Sequence, residues 1–170
     1  MKIRFIIIFL ILSKILNSQN SIDSLINEIN HTRNDSILIN DYLELSFCYF
    51  SLNLDSSKFY LNRANDYLNN KDYQSLRLKY WNNLGNYFFT KGDNQKAKEN
   101  YDNGFQLAKS SNNDEYLKRF TINYARLSIR NGNYYQALKF YLEKKTKYTT
   151  LKSIIISLTI LIITILVSSS

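Results

Sequence analysis

Between residues 20 and 148, apolar and aromatic side chains return every three or four positions. No stretch alternates with the period of two that a half-buried strand requires. The pattern predicts an all-α body. It is punctuated at NLDSS, NNKD, TKGDN, SSNNDE and RNGN by Asn, Asp, Ser and Gly, which favour turns and helix starts over helix interiors. Segments of helix length lie between these breaks, preceded by a shorter helix near Ile22 to Ile29. At the two ends the periodicity gives way to an unbroken apolar run from Phe5 to Leu12 and an uncharged, largely apolar run from Ser153 to Ser170.

The N-terminal run follows Lys2 and Arg4 and is too short to span a bilayer, which fits residues 1–19 as a secretory signal or an N-terminal anchor. The C-terminal run is uncharged and, as a helix, would rise about 27 Å. That approaches the apolar thickness of a bilayer, so 149–170 is expected to be a transmembrane helix beginning beside Tyr148 and Lys152. Export of the body leaves Lys144, Lys145, Lys147 and Lys152 on the outer side, against the usual placement of basic residues. The basic N-terminal run nonetheless favours a membrane-anchored body on the extracytoplasmic, periplasmic side.

Charge changes the picture only at the flanks. The formal net charge is +8, yet all 14 acidic residues and 15 of the 22 basic ones lie between Ser21 and Glu143. The body is nearly neutral, and a nucleic-acid surface is not expected. A single cysteine, Cys48, excludes an internal disulfide and is expected to be a small buried helix residue. His31 is the only histidine and has no second histidine or further cysteine with which to hold a metal. Asp114 and Glu115 suit a helix start, where carboxylates meet the positive end of the helix dipole. No catalytic residue, metal or cofactor is expected.

The helical segments repeat. A shift of forty residues superposes Gly92 on Gly132, Ala97 on Ala137, Tyr101 on Tyr141 and Gly85 on Ala125, and in the other direction Ala64 on Gly104, Leu61 on Tyr101 and Ser57 on Ala97. Three helix-turn-helix units follow, over Ile37 to Leu68, Arg77 to Ala108 and Leu117 to Tyr148. With Trp81, Leu84, Gly85 and Phe88 in a first helix and Ala97, Tyr101 and Gly104 in a second, the middle unit resembles the tetratricopeptide repeat family. The resemblance implies antiparallel helix pairs stacked as a short right-handed solenoid over 20–148. It also implies Trp81 buried at the centre of its repeat, Gly85 and Gly104 making room for neighbouring helices, and Gly92 and Gly132 in the turns.

The resemblance further implies a binding module. Its forty-residue spacing is similar to that of repeats in the sensory part of bacterial membrane-bound histidine kinases and related regulators. In that family the first helices line a concave face that takes a protein or peptide. Carried over, that face comprises Lys79, Asn82, Asn83, Asn86 and Phe89 from the second unit and Arg119, Asn123, Arg126 and Arg130 from the third. Tyr49, Phe50 and Phe89 would be exposed aromatic anchors on it. A homodimer formed through the same face is the other arrangement considered. Two functions are consistent with this reading: the sensory and anchor portion of a signalling protein without its output domain, or a self-sufficient membrane-anchored adaptor or assembly scaffold.

Overall fold

The structure, a computed structural model, describes residues 20–68 and 73–143. Seven helices and no strand occur among the described residues: α1 over 20–31, α2 (Asp35–Tyr49), α3 (Leu54–Leu68), α4 (Gln74–Lys91), α5 (Asn94–Ser110), α6 (Asp114–Arg130) and α7 (Tyr134–Glu143). The all-α expectation holds. Both anticipated membrane segments lie outside the described residues, and among the described residues no helix is long and apolar enough to cross a membrane.

Asparagine and aspartate start these helices at intervals of about twenty residues. Asn34 Oδ1 accepts from the Ser36 N–H at 2.9 Å, Asn53 Oδ1 from Ser56 at 2.9 Å, Asp93 Oδ1 from Lys96 at 3.0 Å, Asn113 Oδ1 from Tyr116 at 3.1 Å and Asn133 Oδ1 from Gln136 at 3.0 Å. Each bond satisfies an amide that the first helical turn leaves without a backbone partner. Tyr73, before α4, has no such side-chain bond. In three of these turns a left-handed residue stands just before the cap: Gly92 at φ 86°, Asn112 at φ 52° and Gly132 at φ 72°. That conformation folds the chain back so that the next N–H bonds into the helix just ended, as Asp93 does to Phe88 O at 2.9 Å and Asn133 to Ser128 O at 2.8 Å. Four of these five caps are asparagines, so part of the chain's asparagine is turn chemistry.

Two compact units meet inside α6, between Asn123 and Tyr124. In the first, α2 packs on α3 and α4 on α5, while α4 also contacts both α3 and α2. Side-chain contacts fix the directions. Tyr42 meets Tyr67 while Tyr49 meets Tyr60, so α2 and α3 are antiparallel. Lys79 reaches Asn40 and Asn83 reaches Leu43, so α2 and α4 run parallel in register. The core of this unit gathers Leu38, Ile39, Tyr42, Leu43, Leu61, Ala64, Leu68, Tyr80, Leu84 and Tyr87.

Gly85 and Gly104 act as spacers. A Cβ on Gly85 would enter the ring of Tyr101, and one on Gly104 would enter the ring of Phe120. Trp81 departs from expectation. It is half-buried, edge-on to Tyr80 at 5.2 Å and packed against the core from its margin; the centre is occupied by Tyr80, Leu84 and Tyr87. In the second unit Ala125, Leu127 and Ala137 are buried, whereas Tyr134, Tyr135 and Leu138 on α7 are exposed.

Candidate functional site

Most of the residues assigned to the binding face are engaged in hydrogen bonds within the protein. Lys79 Nζ donates to Glu44 Oε1 at 2.6 Å and to Asn40 Oδ1 at 2.7 Å, tying α4 to α2. Asn83 is buried and its Nδ2 donates to the Leu43 carbonyl at 2.9 Å. Asn123 is also buried and donates to Asn82 Oδ1 at 2.9 Å, tying α6 to α4. Asn86 Oδ1 accepts from the Tyr101 hydroxyl at 2.8 Å. The expected row of outward-facing donors is thus corrected for these positions: a buried amide loses its water and must bond inside the protein, and here it bonds across helices.

Phe89 is buried, and Tyr49 and Phe50 are half-buried, so the three anticipated exposed aromatics do not form an open surface. Arg119 lies exposed and forks onto Glu115 Oε1 at 2.7 and 3.1 Å. Arg126 and Arg130 are exposed in the second unit. His31 lies exposed at the end of α1, its Nδ1 2.7 Å from the Asn27 carbonyl. Cys48 is half-buried rather than buried, and burial, then Glu44, pushes its thiol pKa up. No group of His, Cys, Asp and Glu suited to a metal ion occurs among the described residues.

Three features of the packing do not follow from the sequence pattern. Asp41, in the position that corresponds to Trp81, is only 3% exposed, and its Oδ2 has no hydrogen-bond partner. Phe47 is 63% exposed, although Tyr87 and Leu127, forty and eighty residues later, are both 5% exposed. Lysines from three helices lie over two rings: Lys58 over Tyr87 and Phe88, Lys91 over Tyr87 and Lys96 over Phe88, at 5.5 to 5.9 Å. Burial, and then the nearby Lys91, lower the pKa of Lys58. The forty-residue shift places Asp41 where the middle unit has Trp81 and Phe47 where it has Tyr87, but it does not show which of them is buried.

No family model matches the chain, and neither a curated protein nor a solved structure is significantly similar to it.

Proposed function

We propose that this chain is a non-catalytic helical repeat module, of the tetratricopeptide type, that binds a protein or peptide. In this reading residues 1–19 direct or anchor it, residues 149–170 hold it in the membrane, and the body is the extracytoplasmic sensory part of a signalling protein.

One observation carries the repeat reading. Asn83 and Asn123 stand forty residues apart, are both buried, and both bond back to the first helix of the preceding unit. An arbitrary bundle has no reason to repeat a buried amide at that interval, whereas a repeat array uses the same junction each time. Ser57, Ala97 and Ala137 support it as well: three small residues at the same interval, each almost completely buried.

With the amides of α4 and α6 committed to helix junctions, the binding role falls to charged side chains that remain exposed. Arg126 and Arg130 are exposed one turn apart on α6, and a guanidinium group suits a carboxylate. The test is cross-linking in the native envelope followed by mass spectrometry. A specific partner should be captured by the unaltered chain and lost on Arg126→Glu with Arg130→Glu, at unchanged helical content. Undiminished capture would reject the arginine site, and no specific partner in either sample would reject the binding role.

A further inference from the structure

The carboxyl group of Asp41 is buried without a cation of its own. Its Oδ1 lies 3.4 Å from Asn40 Nδ2, a long contact, and its Oδ2 has no partner. The charged groups whose fields reach it are Glu28 from α1, Glu44 from its own helix and Lys79 from α4. Lys79 is committed to Glu44 and Asn40. The fields of two carboxylates and one engaged ammonium thus reach a carboxyl group removed from water, where ionisation is costly.

The element that can relieve this arrangement is α1. It is the terminal helix of the described array. Ile22 is its one buried side chain, and Ile29, partly buried, packs against the core that includes Leu38, Ile39, Tyr42 and Leu43. Departure of α1 would carry the Glu28 carboxylate away from Asp41.

We propose that Asp41 makes the seating of α1 on α2 sensitive to pH: α1 stays docked over a protonated carboxyl and loosens when that carboxyl ionises. This goes beyond partner binding and assigns a regulatory device to the junction of the body with its N-terminal segment. Burial, and then Glu28, raise the Asp41 pKa. The sign follows. Between the ordinary carboxylate value and the raised one the docked state holds more protons than the open state, so docking weakens as pH rises through that window. Asp93 has the opposite sign, because the Lys96 N–H holds its pKa below the ordinary value. It starts α5, so the measurement must be local to α1.

Hydrogen exchange of the full chain at pH 4 and pH 7, corrected for intrinsic rates, reads it directly. Protection over residues 20–31 should fall roughly threefold or more at the higher pH. In Asp41→Asn it should be independent of pH. Unchanged protection in the native chain, the same loss in Asp41→Asn, or an equal loss in α3 and α5 would overturn the proposal. A measurement needing no variant is the carbon-13 titration of the Asp41 carboxyl, whose midpoint should coincide with that of α1 exchange; separate midpoints would also overturn it.

Discussion

The helix pairs α2/α3 and α4/α5 correspond at a shift of forty residues in the sequence and pack differently. In the second pair Gly85 faces Tyr101, and a single added carbon on the glycine would collide with the ring. The corresponding positions of the first pair hold Leu45 and Leu61, both fully buried. Two medium side chains replace one absent and one large. The polar accompaniment differs too. Ser46 and Ser57 bond in the first pair, with Oγ atoms 3.2 Å apart, while in the second Asn86, forty residues after Ser46, accepts from the Tyr101 hydroxyl at 2.8 Å. Along its flank the first pair adds Tyr42, Tyr49, Tyr60 and Tyr67, with successive ring centroids 5.5 to 6.2 Å apart. The two pairs thus close a helix contact with different residues and a different division of large and small side chains.

The largest expected effect comes from removing the large member of the second pair. Tyr101→Ala leaves a cavity that Gly85 cannot fill and should cost about 3–5 kcal/mol in urea unfolding. Gly85→Leu should cost about 1–3 kcal/mol by overpacking. Combined with Tyr101→Leu it recreates the first pair's solution and should recover much of the loss. A double variant no more stable than Gly85→Leu alone would show that the two pairs are not interchangeable.

Smaller effects test the turns and junctions. Gly92→Ala meets no neighbour but must hold φ near 86°, so the expected cost is about 1–2 kcal/mol from backbone strain alone. Asn83→Ser shortens the donor that reaches Leu43 O and should cost about 1 kcal/mol. If it costs nothing, the buried amide contributes no stability to the α2–α4 junction. The smallest change is expected from Lys98→Ala, which breaks the exposed Lys98–Asp102 pair at 2.7 Å and should lower stability by less than about 0.5 kcal/mol.

How legible these features were depends on the range of the interaction. The roles of Gly92 and Gly132 could be read directly, because a turn requires a backbone conformation that glycine adopts at little cost. Gly85 and Gly104 were legible through their large partners on the repeat. Trp81 was not, since the pattern places it on an inward face without saying whether that face is covered at its margin. The candidate face fared worst. Lys79, Asn82, Asn83, Asn86 and Asn123 read as free donors in a sequence that does not reveal what stands opposite each amide.

The sequence by itself determined the helices, their turns and their forty-residue return, because periodicity, caps and left-handed residues act within one or two turns of chain. Only the tertiary structure decided which polar groups are spent inside. Asn83 finds Leu43 O, Asn123 finds Asn82 and Lys79 finds Glu44 across 35 to 41 residues of chain, while Asp41 Oδ2 finds no partner. Hydrogen bonds between helices depend on register and distance in space, and the same asparagine is a cap, a junction or a surface group according to what packing brings to it.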